Sequence, residues 1–196
     1  MTTIEPVWTR AQTRPLGWWG MLLLVATEAT LFATLVASYF YLRFKNVAWP
    51  PEGIEKPQVL VPCVLAAVLV AASAPMAVAA RALAGARIRL VRACVAAALT
   101  LGAAFAAGQF LLLEDDWGAF RPAGSAYASI YYTLAGLLWA HVAAGVLLLG
   151  FVVMQLSRTP YRPEWSAAVQ ISSLYVHFVS VVAVAVLLTA YLSPQL

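Results

Sequence analysis

From Gly17 to Phe44 the chain reads GWWGMLLLVATEATLFATLVASYFYLRF, an apolar run whose only charge before Arg43 is Glu28. A run of this length crosses the hydrocarbon core of a bilayer as a helix, because in lipid every backbone N–H and C=O must find its partner within the segment. At a rise of about 1.5 Å per residue, Glu28 lies roughly 17 Å along that helix from Gly17, too deep to snorkel to either headgroup layer. It must therefore face protein, water or a lipid head drawn inward. A charge at such depth costs about 3 kcal/mol on insertion scales, so a functional role is the default reading. The plainer alternative is a protonated glutamic acid satisfied by a neighbouring helix.

Four more runs of the same kind follow. The 196 residues are 63% hydrophobic and only 10% charged, with mean hydropathy +0.85. These values exclude a soluble globular domain. Spans at about 17–42, 57–84, 90–113, 127–156 and 165–192 fill the chain as a single domain over residues 1–196, an all-α integral membrane bundle of five transmembrane helices. The net charge of +4 would suggest nucleic acid in a soluble protein. Here the basic residues flank apolar spans and read as topology signals.

Residues 1 to 16 read as a short tail, ending where Trp18 and Trp19 mark an interface. The first apolar run is longer than a signal-peptide core and contains Glu28, so the first helix is expected to remain in the mature protein. It carries small residues at helical spacing, Ala26, Thr30, Ala33 and Ala37, a stripe along which another backbone can approach closely. In the second span Pro75 removes a backbone hydrogen bond, which predicts a kink with Ser73 or a neighbouring helix compensating. Arg81, Arg87, Arg89 and Arg92 then fall together without an acid. Lys and Arg divide eight against four between the two sides, which places the N-terminus in the cytoplasm and the C-terminus outside. Cys63 and Cys94 fall near opposite membrane faces, too far apart for a disulfide.

With this topology His141, on the fourth span, and His177, on the fifth, come to the depth of Glu28. The two histidines and the mid-membrane carboxylate are expected to share one layer. Gln170, Ser173, His177 and Ser180 lie at offsets of three, four and three, one face of a helix that should turn toward the bundle or another subunit. Two imidazoles at one depth formally satisfy a bis-histidine haem, although hydrogen-bonded interior histidines are the commoner case. A zinc or di-iron site lacks ligands for a closed shell. No nucleophile motif, phosphate loop or acid–base dyad is present. A chain without a catalytic centre of its own reads as an accessory membrane subunit.

The segment ATEATLFATLVASYFYLR resembles the glutamate-bearing helix of subunit III of haem-copper oxidases, the cytochrome c oxidase family. LGAAFAAGQFLLLEDDW is similar to that family's Gly, Phe, Gln and terminal acid, carried by Gly102, Phe105, Gln109 and Glu114. SIYYTLAGLLWAHVAAG matches a Tyr, Leu, Gly, then His-Val-x-x-Gly pattern through Tyr132, Leu134, Gly136, His141, Val142 and Gly145. SLYVHFVSVV resembles a closing Tyr-Trp-His-Phe-Val-Asp motif through Tyr175, His177, Phe178 and Val179. The matches keep the family's order from about Arg14 to Leu192, and five spans correspond to the short bacterial form. Leu138, Val176, Ser180 and Ala183 depart from the pattern, where a histidine, a tryptophan, an aspartate and a second tryptophan are usual.

The resemblance implies a metal-free accessory subunit of a bacterial terminal oxidase, with haem and copper in partner subunits. It would sit in the inner membrane, bind the oxidase subunit I beside subunit II, and hold phospholipid in a cleft between its first two helices and the rest. It would thereby support stability and proton uptake in aerobic electron transport. Glu28, His141, His177, Ser173, Ser180 and Gln109 are the intramembrane residues through which a lipid-related or protonic role would run; none is assigned to catalysis or to a metal. The alternatives are a subunit III-like part of a quinol oxidase or nitric oxide reductase and, from another class, a bis-histidine b-type haem anchor. A small transporter ranks last for want of inverted repeats and paired broken helices.

Overall fold

A computed structural model describes residues 16–158 and 164–196. It contains five helices long and apolar enough to cross a membrane, and no strand among the described residues. They are α1 (Leu16–Lys45), α2 (Leu60–Ala82), α3 (Ile88–Ala119), α4 (Ala126–Arg158) and α5 (Glu164–Val186). α5 continues as a π-helical stretch, Leu187–Leu192, and a short 3-10 turn, Ser193–Gln195. From α2 onward, short connections make sequential helices antiparallel neighbours, whereas the longer connection over residues 46–59 lets α1 pack away from α2. Between α2 and α3 the turn is closed with Ala86 in the left-handed region, φ 49°. The expectations for the residues before Leu16, and for the loop between α4 and α5, lie outside the described residues.

The helices are not equally enclosed. α2 packs against α3 and α5, α3 packs against α4, and α1 rests chiefly on α5 and α4. α1 therefore stands at the edge of the bundle and buries only Phe32 and Tyr39. The small-residue stripe Ala26, Thr30, Ala33 and Ala37 faces outward instead of packing within the chain. Its hydroxyl-bearing neighbours need no partner: Thr27, Thr30 and Thr34 donate to the carbonyls of Leu24, Thr27 and Thr30 at 2.8, 2.6 and 2.8 Å.

Two packed regions share the interior. Toward the end that carries Arg81, Arg87, Arg89 and Arg92, the core is narrow and made of small or branched residues, among them Ala72, Ala79, Val91, Val95, Val152 and Val169. Small side chains let α2, α3, α4 and α5 approach one another closely. Toward the other end the core is aromatic, with Tyr39, Phe105, Tyr131 and Tyr191 buried together. There buried polar tips are held by partners, except the Tyr127 hydroxyl, which has none among the described residues. Trp49 Nε1 donates to Tyr39 Oη at 2.8 Å, Gln109 Nε2 donates to Tyr191 Oη at 3.1 Å, and Tyr131 donates to the Asp116 carboxylate. Arg43 on α1 reaches Ser193, next to the chain end, which ties α1 to the last turn.

α2 runs as one helix through Pro75. Just before the proline, Ser73 donates to Ser180 Oγ at 2.8 Å. Ser180 in turn offers its hydroxyl to the carbonyls of Leu69 and Val176 at 3.0 and 2.9 Å. These bonds tie the turn before the proline to α5, but they do not reach the carbonyl of Ala71, the group that the missing Pro75 N–H leaves without its helical donor.

Candidate functional site

Glu28 on α1 and His141 on α4 meet across the seam between those helices, with His141 Nε2 at 3.1 Å from Glu28 Oε2. The depth comparison made from the sequence holds for this pair. Phe32, one turn beyond Glu28, lies edge-on to the imidazole at 5.1 Å between ring centroids and seals its inner side. The other ring nitrogen, Nδ1, lies 2.8 Å from the carbonyl oxygen of Leu137, one turn back on α4. A carbonyl only accepts, so Nδ1 carries a hydrogen and donates it.

This contact decides the chemistry of the pair. With Nδ1 protonated, a neutral imidazole presents a lone pair at Nε2, and an ionised carboxylate facing it would set acceptor against acceptor. A hydrogen bond at 3.1 Å therefore needs one proton between the two groups, either as Glu–COOH donating to Nε2 or as a carboxylate accepting from an imidazolium. Both forms have zero net charge. That lowers the cost of holding a carboxyl group in the bilayer, while removal of the shared proton would leave a net negative charge at mid-depth.

Tyr175 on α5 holds the imidazole's backbone. Its hydroxyl donates to the His141 carbonyl at 3.0 Å. The tyrosine can lie this close because residue 145, one turn beyond the histidine, has no side chain: a Cβ there would stand 3.2 Å from Tyr175 Cε1. The spacing of His141 and Gly145 thus has a direct physical meaning, a histidine and the gap that admits the ring bracing it. Tyr175 was legible as part of a motif but not as a site residue, because its partner is a backbone carbonyl. A tyrosine on the inward face of α5 opposite a glycine was the available signal.

The pair stands on the wall of a cleft of about 390 Å³. Met21, Leu24 and Glu28 of α1 form one side, and Ala140, His141, Ala144 and Leu148 of α4, with Tyr175 of α5, form the other. The cleft is mainly apolar, with Glu28, 29% exposed, and His141, 14% exposed, as its polar lining. It separates α1 alone from α4 and α5. It does not separate the first two helices from the rest, because α2 is packed into the bundle against α3 and α5. Behind His141 and Tyr175 a second, smaller space of about 20 Å³, lined by Ala98, Gly102 and Gly145 among others, has room for little more than one water.

The other expected residues do not join this pair. His177 is exposed on α5, and its Nδ1 donates to the Ser173 carbonyl at 2.7 Å. His177 thus keeps a mid-helix position but turns away from the pair, so the three groups do not form one cluster. Of the two cavities described above His141 borders both and His177 neither, and the His141 Nε2 that would ligate an iron already meets Glu28. A haem held between them does not fit this arrangement. The face formed by Gln170, Ser173, His177 and Ser180 is split: Ser173 and Ser180 are buried and His177 is outside. Gln109, 3% exposed, belongs to the aromatic end through Tyr191. Leu138, Val176, Ser180 and Ala183, the departures from the family pattern, are all buried. Their side chains fill interior space without introducing a charge. At position 180 two carbonyls converge, an environment suited to a hydroxyl donor and poor for a carboxylate.

The chain is 29% identical over 166 residues to a cytochrome c oxidase subunit 3 of Thermostichus vulcanus, covering 83% of this chain and 80% of that one. It is 29% identical over 179 residues to a cytochrome c oxidase subunit 3 of Corynebacterium diphtheriae, covering 88% and 85%. A quinol oxidase subunit 3 of Bacillus subtilis is 27% identical over 192 residues, covering 95% and 92%. A family profile described as Cytochrome c oxidase subunit III matches residues 2–194, and the chain belongs to that family.

Proposed function

We propose that this chain is an accessory subunit of a bacterial haem-copper terminal oxidase, without haem or copper of its own, seated in the inner membrane against the oxidase subunit I beside subunit II. Its N-terminus is on the cytoplasmic side. Its contribution to the complex is a membrane cleft with a neutral, proton-sharing pair in the wall, which takes a phospholipid acyl chain and supports the stability and proton uptake of the working enzyme. The observation that carries this reading is the Glu28–His141 contact at 3.1 Å with Nδ1 committed to Leu137, at the edge of the 390 Å³ cleft. Met21, Leu24 and Leu148 offer an acyl chain apolar contact, and the pair offers a polar group that carries no net charge.

A tagged form of the chain tests the assignment to a complex. It is expected to bring a haem-bearing large subunit from detergent-solubilised membranes, and recovery without one would overturn the reading. Ala144→Trp, which fills the cleft from its α4 side, is expected to lower the phospholipid retained by the purified complex. Unchanged lipid content would remove the lipid part of the proposal. A quinol oxidase is the second reading, favoured by the near full-length similarity to the Bacillus subtilis quinol oxidase subunit 3. Activity of the purified complex with reduced cytochrome c or with quinol separates the two.

A further inference from the structure

His177 is placed where a transmembrane helix cannot leave a polar group without a partner. It lies 13 residues from the start of α5 at Glu164 and 15 from the end of the helical stretch at Leu192, so it is roughly 20 Å from either end. Its Nδ1–H is committed to the Ser173 carbonyl at 2.7 Å, which leaves Nε2 of the neutral ring as a lone-pair acceptor. No hydrogen bond reaches that nitrogen from the described residues. The residue is exposed although α5 is otherwise the most enclosed of the five helices. Along the same exposed face run Val181, Val184 and Leu188, with 69%, 39% and 55% of their surface open. The intervals from His177 are four, three and four. A spacing averaging about 3.7 residues stays close to the 3.6-residue period of the helix, so these side chains form one stripe along which a second helix can pack.

We infer that this face of α5 is a docking seam for a transmembrane helix of a partner oxidase subunit, which brings a hydrogen-bond donor (a hydroxyl, amide or indole N–H) to His177 Nε2. The inference rests on the proposed membership of an oxidase complex and adds the surface and chemistry of one contact. Lipid tails would solvate the valines and leucine equally well but offer no donor at this depth, where an unmatched acceptor is costly. A second copy of this chain does not suit the seam. A two-fold pairing would set His177 Nε2 against its own equivalent, two acceptors with no proton between them. What fits is a dissimilar helix, apolar along its length, with one donor at the middle.

The test uses the tagged full-length chain within its complex in native membranes. A photo-crosslinking amino acid replaces Val181 or Leu188 and leaves His177 in place. The expected product is an adduct with a different subunit of the same complex. Adducts with lipid alone, or with a second copy of this chain, would overturn the inference. In a second arm, retention of the chain during detergent washing is compared for His177→Leu and His177→Gln. Leu should lower retention several-fold, while Gln, which keeps an acceptor oxygen, should restore most of it; equal retention of all three forms would overturn the role of the nitrogen. If the chain recovers a haem-bearing subunit but α5 gives no adduct with another subunit, this inference alone fails. If it recovers none, the proposed function fails and the seam with it.

Discussion

His141 and His177 begin from the same local structure and end in opposite circumstances. Each donates Nδ1–H to the carbonyl one turn back, at 2.8 Å to Leu137 and 2.7 Å to Ser173. Each therefore presents Nε2 to whatever lies beyond its own helix. For His141 that is Glu28 at 3.1 Å, and the two groups share a proton inside the chain. For His177 it is the outer surface. A helix thus prepares both imidazoles identically, and the neighbour decides whether the nitrogen completes an internal pair or waits for another molecule.

The largest way to break this comparison is to remove each imidazole in turn. His141→Leu strands the Glu28 carboxyl in the membrane wall. It should lower the stability of the solubilised protein by about 2–3 kcal/mol, somewhat below the usual range for breaking a buried pair because the cleft admits some solvation. The double substitution Glu28→Leu with His141→Leu should recover most of that loss, as a double-mutant cycle of thermal or denaturant midpoints would show. His177→Leu removes only a donation to the Ser173 carbonyl, which keeps its place in the helical ladder, and should change the chain's own stability by less than about 0.5 kcal/mol. Equal losses at the two positions would end the distinction.

A smaller effect is expected at the bracing side. Gly145→Ala sets a methyl 3.2 Å from Tyr175 Cε1, and the tyrosine can yield only by drawing away from His141. A loss of about 1 kcal/mol is expected, as for other small overpacking changes. Gly136→Ala and Gly150→Ala, whose added carbons meet nothing within 4 Å, should be neutral or slightly stabilising, since alanine orders a helix more readily. Tyr175→Phe keeps the ring and deletes the bond to the His141 carbonyl. It should cost about 0.5–1 kcal/mol, the ordinary value of one hydrogen bond whose acceptor keeps its helical partner.

The same contrast shows which parts of the molecule were legible in the sequence. Length and hydropathy alone foretold five crossing helices, because lipid permits few other solutions. Depth along antiparallel helices brought Glu28 to His141. Depth did not give azimuth: residues three and four apart share a face only to within tens of degrees, enough to turn Ser173 and Ser180 inward and leave His177 outside. The role of Tyr175 depends on a carbonyl, which no side-chain pattern displays. The outward turn of Ala26, Thr30, Ala33 and Ala37 depends on Phe32 and Tyr39 providing the better buried face. The position of α1 at the edge of the bundle follows from competition among helices for partners, a property of the assembled fold and of no single span.

The finest test separates the hydrogen bond in the pair from its proton. Glu28→Gln keeps nearly the same shape and places an amide N–H opposite His141 Nε2, whose lone pair is free to accept because Nδ1 is held by Leu137. The contact should survive with a change in stability within about 0.5 kcal/mol, since neither group is left unmatched. What disappears is the exchangeable proton and the reactive carboxyl. Carbodiimide labelling of the subunit should therefore be lost in Glu28→Gln, while its retention in the complex is unchanged. Persistent labelling would place the reactive carboxyl elsewhere in the chain, and a stability loss as large as that of His141→Leu would mean that the pair contains an imidazolium. In that case the carboxylate's charge, and not only its shape, holds the histidine in place.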